Sequence, residues 1–389
     1  MSARVVVAGA GVMGVAAARS LAARGHRVTL CDPGPLPHPL AASTDISKVV
    51  RIEYGDDQGY MALGERSLDG WRRWNRDLFA GDPLFHETGV LFVRRSAMTP
   101  GGFEHDSHAA LLARGHRPER LDAAALTARF PAWRTGRYVD GFFHARGGFV
   151  ESGLVVERLL ARAVTEGVAL VPNASFARVV DGGVALASGT VLPADRVVLA
   201  LGAWTPFAVP SLATSLRATG HPVFHLRPRD PSRFEATRFP VFGAAIADTG
   251  WYGFPLHPRQ GVVKVARHGV GRAMHPESPE RAVTEGDFAA LRSFLADTFP
   301  DLLDAEVAAT RVCLYCDSAD GHFLIDRDPA LPHVTVAAGD SGHGFKFAPA
   351  LGDLIADVVE GAPADPRFRW RTGATSERYE EAARCVSDR

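Results

Sequence analysis

Between residues 4 and 32 the chain reads RVVVAGAGVMGVAAARSLAARGHRVTLCD, and few stretches narrow a fold so sharply. Val5 to Ala8 form a short apolar run of the kind buried inside a parallel sheet. They lead directly into Gly9-Ala10-Gly11-Val12-Met13-Gly14, the spacing of a strand that gives way to a helix. Apolar periodicity then predicts a helix over Val12–Ala23, closed by Gly25 as its C-terminal cap. A second strand, HRVTLCD, ends on Asp32. Gly9 supplies the tight turn, and Gly11 lets backbone approach a pyrophosphate held at the helix start by Val12 and Met13. Gly14 lets helix and strand lie close together, and Asp32 can accept from ribose hydroxyls. The glycine spacing alone is a weak signal. With strand, helix and acid in this order it predicts a dinucleotide site, without choosing between FAD and NAD.

Such a unit fills only part of 389 residues, so a second domain is expected. With 46% hydrophobic and 22% charged residues, the composition is that of a soluble globular protein. A formal net charge of −1 leaves no cationic surplus for a phosphate backbone, which argues against nucleic acid. The first twenty residues resemble a secretory signal, but Gly9, Gly11 and Gly14 interrupt the apolar run. No stretch reaches the roughly 18–20 apolar residues of a membrane span. The terminal CVSDR is not a peroxisomal address. Cys31, Cys313, Cys316 and Cys385 are too sparse for a disulfide scaffold and suit a reducing cytoplasm. Cys313 and Cys316 make one CxxC with no second ligand pair, so no metal is expected, and a redox dithiol is a minor alternative.

Dinucleotide texture returns twice. The segment from Ala169 to Trp204 reads as strands with a hairpin at Asp181-Gly182-Gly183. It ends in a buried strand, Val197–Leu201, and the turn Gly202-Ala203-Trp204. Later, HVTVAAGDSGHGFKFAPALGDLIADVVEG reads as a strand, a turn carrying Gly339, Gly342 and Gly344, and a helix from about Pro349. Helical spacing also covers 59–78, where an Arg cluster makes a solvated face, and Ser152–Thr165. Residues 216–312 differ, with short strands such as WYGFPL and GVVKVAR and a helix near Glu285–Thr298. His221 and His225 are four apart, but Pro222 argues against a helix there.

The expected fold is therefore α/β: a Rossmann-type, glutathione-reductase-like FAD-binding domain with an inserted α+β substrate domain on an antiparallel sheet. The FAD domain would comprise 1–80, 141–215 and 320–389; the substrate domain, 81–140 and 216–319. A nucleotide domain written in distant pieces favours FAD over NAD. The helix after the last glycine turn can aim its positive end at the flavin pyrimidine.

In order, GAGVMG, DISKVVRIEYG, LALGAW, WYGFP, VKVARH, CLYCDSADGHFLID and AAGDSGHGFKF resemble the monomeric sarcosine oxidase family of flavin amine oxidases, over nearly the whole chain. The resemblance implies FAD linked through a cysteine sulfur to the flavin 8-methyl carbon, with Cys313 at that position. It also implies cofactor contacts from Ser43, Lys48, Val179, Gly202, Trp204, Gly339, Gly342, His343, Gly344 and Lys346.

Lys and Arg number 43, yet the only lysines are Lys48, Lys264 and Lys346, all inside those segments. The resemblance puts Lys264 above the flavin ring as the group that activates dioxygen, a small space that suits an ammonium better than a guanidinium. Lys346 would hold the substrate carboxylate with Arg51, whose fork binds it bidentately. Lys48 stands where sarcosine oxidases carry Arg and where Amadori-compound and saccharopine oxidases carry Lys. His268, four residues after Lys264 and on the same strand face, matches a histidine near the flavin and the substrate amine. Tyr252 and Tyr315 match aromatic residues of the substrate cavity. Arg267 and Asp340 replace aromatic residues of sarcosine oxidase, so sarcosine is disfavoured. Lys48 and Asp340 lean towards the fructosyl amino acid, saccharopine and pipecolate oxidase branch.

The expected activity is oxidation of the C–N bond of a secondary, N-substituted or cyclic amino acid, giving an imine and hydrogen peroxide. The expected partners are a small amine and dioxygen, with no membrane, and the chain is expected to act as a monomer. Two alternatives remain open: a dehydrogenase or biosynthetic tailoring enzyme of the same fold, and a non-catalytic or NAD-binding module.

Overall fold

The structure, a computed structural model, describes residues 2–372. Cys385 and the terminal CVSDR lie outside the described residues.

Two large sheets organise the chain. The first has six strands in the order Leu324–Arg327, Val334–Ala338, Arg196–Leu199, Arg4–Ala8, Arg27–Cys31 and Ala169–Val171. All neighbours are parallel except the first pair. Past their leading Arg4 and Arg196, the central strands are buried and, Thr335 apart, apolar, as parallel sheets covered by helices require. Helix Val12–Ala23 packs on helix Ala348–Val359 so closely that a Cβ on Gly352 would lie 2.6 Å from the Ala16 carbonyl oxygen. Helices Gln58–Asp77 and Ser152–Thr165 pack against this pair. Asp57 caps the former through the Tyr60 N–H.

The second sheet has nine strands. Eight run in the order Arg272–Ala273, Leu216–Arg227, Val263–Arg267, Trp251–Phe254, Val241–Ala244, Val90–Arg94, Asp140–His144 and Glu119–Asp122. The ninth, Glu306–Ser318, pairs with Leu216–Arg227 along its length. Every pair is antiparallel except Val241–Ala244 with Val90–Arg94. Asp140–His144 thus carries this sheet across the expected boundary at 141, held there by Phe142 against Phe92, ring centres 5.6 Å apart. An aromatic core including Trp133, Phe239, Phe242 and Phe299 backs the sheet, under helix Glu285–Thr298 with its Thr284–Asp287 capping box. His221 and His225 lie on a strand, and alternation puts them on one face.

A small sheet of Lys48–Val50, Gly148–Val150 and Phe85–His86 supports the segment that carries Lys48 and Arg51. No helix among the described residues is long and apolar enough to cross a membrane.

Candidate active site

The first turn has the geometry a dinucleotide needs. Gly9 has φ +99°, and a Cβ there would lie 2.3 Å from the Ala200 carbonyl oxygen. A Cβ on Gly14 would lie 1.8 Å from the Gly9 carbonyl oxygen. Gly11 starts the helix without a side-chain cap, and the Val12 N–H donates to Ser43 Oγ at 3.1 Å. Asp32 is buried and accepts from the N–H groups of Ala10 (2.8 Å) and Gly34 (3.3 Å). Burial raises its pKa against the pull of those N–H groups.

A cavity of about 1130 Å³ opens over this turn, with Gly9, Gly11, Asp32, Ser43, Gly202 and Trp204 in its walls. It continues into a chamber of about 370 Å³ bounded by Met13, Lys48, Cys313, Asp340, Gly342 and Gly344. A third chamber, about 670 Å³, shares Lys48, Tyr315, Gly342 and Phe345 with the second. Its wall brings together Arg51, Tyr252, His268, His343 and Lys346 with an apolar lining that includes Phe92, Phe242 and Phe254. The residues fit FAD: glycines where a Cβ would intrude, an open helix start, and a groove leading from the turn to a second chamber.

In the third chamber, Arg51 and Lys346 converge on Tyr54. The Arg51 guanidinium carbon is 4.6 Å from the Tyr54 ring centre, and Lys346 Nζ donates to Tyr54 Oη at 2.8 Å and to the His343 carbonyl at 3.1 Å. Both cations are buried. Two fixed cations on one aromatic ring can hold one carboxylate. Tyr54 was not singled out from the sequence, although it lies within DISKVVRIEYG. His268 faces the Tyr315 ring at 5.8 Å. Burial pushes Tyr252 up to about 12, with Lys48 pulling the other way.

The lysines differ most from the expectation. Lys48, on the wall of both inner chambers, donates from Nζ to Cys313 Sγ at 3.2 Å. Burial opposes its charge, but Cys313 and Asp45 outweigh it and raise its pKa. Lys264 lines none of these chambers. It is 1% exposed, and its Nζ lies 2.5 Å from both Asp45 Oδ2 and the Ser47 carbonyl oxygen. Lys264, Lys48 and His225 surround Asp45. Despite its own burial, the Asp45 carboxyl is held well below the usual range, chiefly by Lys264. Burial, aided by Lys48, lowers Lys264 to about 8 in spite of Asp45.

Three further expected contacts stand off the chamber walls. Val179 pairs with Val184 in a hairpin, and Ala174, Ser175 and Phe176 form the wall instead, because the hairpin strand Phe176–Val180 touches the cavity only at its first residue. Gly14 packs beneath the turn, and a Cβ on Gly339, φ +69°, would lie 3.1 Å from the His322 carbonyl oxygen. The His343 ring bonds to Tyr54 Oη and the Gly321 carbonyl. Cys313 and Cys316 are free cysteines in separate clusters on opposite strand faces. No group of His, Cys, Asp or Glu among the described residues is arranged to hold a metal.

A family model described as FAD dependent oxidoreductase (DAO) matches residues 4–358. Monomeric sarcosine oxidase of Streptomyces avermitilis is 30% identical over 372 residues, 93% of this chain and 95% of that one. N-methyl-L-tryptophan oxidase of Salmonella arizonae is 28% identical over 361 residues, 91% of this chain and 94% of that one. Among solved structures, fructosyl amine:oxygen oxidoreductase (Amadoriase I) of Aspergillus fumigatus superposes with a TM-score of 0.77 at 25% identity. That match covers 95% of this chain and 90% of the other. A fructosyl peptide oxidase mutant shares the fold at a TM-score of 0.84 and 24% identity, covering 99% and 97% of the two chains.

Proposed function

The chain belongs to the FAD dependent oxidoreductase family, and from that premise we propose that it oxidises the C–N bond of an amino acid. The amine is secondary, N-substituted or cyclic, and the products are an imine and hydrogen peroxide. The observation that carries the reading is the pairing of Arg51 and Lys346 on Tyr54, inside a chamber that opens onto the cofactor groove. The relatives named as sarcosine and N-methyl-L-tryptophan oxidases support it.

FAD, when bound, would supply the two-electron acceptor for the hydride equivalent on the carbon beside nitrogen and the route for those electrons to dioxygen. The chain's own groups do the rest. Arg51 and Lys346 fix the carboxylate, His268, Tyr252 and Tyr315 border the amine, and Phe92, Phe242 and Phe254 exclude water. The turn at Gly9–Gly14 and Asp32 hold the dinucleotide end. Lys48, whose Nζ donates to Cys313 Sγ at 3.2 Å, holds in place the sulfur that would link to the flavin. Lys264, which lines none of the chambers, serves the oxygen half of the reaction through the Asp45 carboxylate that Lys48 on the chamber wall also faces. The six-stranded sheet and its helices form the cofactor domain and the nine-stranded sheet the substrate domain. The enzyme acts as a monomer in the reducing cytoplasm, a setting in which its buried free cysteines persist.

The test is anaerobic bleaching of the yellow enzyme by sarcosine, pipecolate, saccharopine, fructosyl-valine, fructosyl-lysine and N-methyl aromatic amino acids, followed by peroxide assay in air. At least one amine should bleach the enzyme and yield peroxide in step with its loss. Bleaching without peroxide would point to a dehydrogenase, and no bleaching by any of them would overturn the reading.

A further inference from the structure

Behind the wall formed by Lys48 and Cys313 lies a line of ionisable groups. Lys264 and His225 are directly opposite one another on adjacent antiparallel strands, so both side chains leave the sheet on the same face. Asp45 reaches between them from the loop after Ala42–Thr44. One carboxylate oxygen lies 2.5 Å from Lys264 Nζ, and the other faces His225 Nε2 at 3.3 Å. That nitrogen is buried and makes no well-aligned hydrogen bond. The side chains of Lys264 and Asp45 are 2% and 1% exposed, that of His225 11%. Ammonium, carboxylate and imidazole thus run in sequence, and the imidazole is the least buried of the three.

The proposed reaction needs such a line. The amine gives up its C–H and N–H hydrogens as two electrons and two protons, and dioxygen gains the same to become hydrogen peroxide. An ammonium that hands a proton to reducing dioxygen must recover one, and Lys264 has no solvent contact of its own. We propose that His225 and Asp45 are positioning and proton-transfer residues that connect Lys264 to solvent during reduction of dioxygen. The imidazole takes a proton from water, Asp45 passes it on, and Lys264 regains the proton it gave; no electrons move along the line. Lys264 is also faced by Lys48, the Ser47 carbonyl and the Phe254 ring at 4.6 Å, and Asp45 also by Lys48. The inference rests on the reading that Lys264 serves the oxygen half-reaction.

His225→Gln keeps the Asp45–Lys264 pair and is the primary variant. Holoenzyme turnover is measured with dioxygen, which needs protons, and with ferricenium, which takes single electrons and none. The variant should be slower with dioxygen by about tenfold or more, while anaerobic bleaching and ferricenium turnover stay at the wild-type rate. An equal fall with both acceptors, or no fall with dioxygen, would overturn the proposal. Asp45→Asn is read without turnover, by titrating the visible spectrum of the resting holoenzyme from about pH 6 to about pH 10. A step near pH 8 from Lys264 should move to lower pH once the carboxylate is gone; an unmoved step would sink the coupling. Should Asp45→Asn fail to fold, the acceptor comparison in His225→Gln decides. A wild-type enzyme that no amine bleaches would defeat the reading of the function instead, and the titration would still decide whether Asp45 holds Lys264.

Discussion

Single residues carry the chemistry, and two of them set measurable expectations. Lys264→Met should slow reoxidation by dioxygen by orders of magnitude and leave anaerobic reduction intact, as expected when a positioned charge serves one half-reaction; equal loss in both would remove the lysine from that role. The lowered pKa of Lys264 also fixes a stability sign. Between about 8 and 10.5 the unfolded chain holds a proton that the folded one has released, so stability rises with pH across that window. Wild type should gain on Lys264→Met there by at most about 1.4 kcal/mol per pH unit, read from chemical denaturation at pH values on either side. Cys313→Ser should yield protein whose colour leaves with the acid supernatant, whereas wild-type precipitate should stay yellow. A colourless wild-type precipitate would end the case for a covalent link. Both positions were legible in the sequence as types. Asp45 and His225 were not, because a carboxylate 219 residues from its lysine gives no spacing signal.

At the scale of elements, the local code was nearly complete. The helices expected over Val12–Ala23, Ser152–Thr165 and near Glu285–Thr298 form with those bounds, since each has its own apolar stripe and its own stop. The expected strand Val197–Leu201 ends early at Leu199, because Leu201 turns to cap the short helix Gly202–Trp204. Val179 lies three residues beyond Phe176, the point where its hairpin strand leaves the cavity wall. The glycines separate two kinds of need. Gly14→Ala drives a Cβ into the Gly9 carbonyl and should cost about 1–3 kcal/mol together with cofactor content. Gly25→Ala meets open space at φ +87° and should cost about 1–2 kcal/mol of conformational strain with cofactor content unchanged. Absorbance per mole of purified protein distinguishes the two, and equal flavin loss in both would contradict the packing argument.

Across the whole molecule, the groove is assembled from residues 9–43, 174–208, 277 and 314–340, so a bound dinucleotide ties together segments that no short-range contact joins. Protein prepared without cofactor should melt at a lower temperature, and free FAD at about 100 times its dissociation constant should restore about 2.7 kcal/mol. A melting curve indifferent to FAD would show that the groove does not hold it. The chain's order of residues settled the α/β class, the dinucleotide turn and the kinds of group at the site, because periodicity, capping and glycine spacing act over a few residues. Which lysine meets Cys313, which one is locked to Asp45, and that Tyr54 contacts both Arg51 and Lys346 emerged only with packing. Those contacts join strands and loops far apart in the chain, and their geometry is set by burial and charge balance rather than by spacing along it.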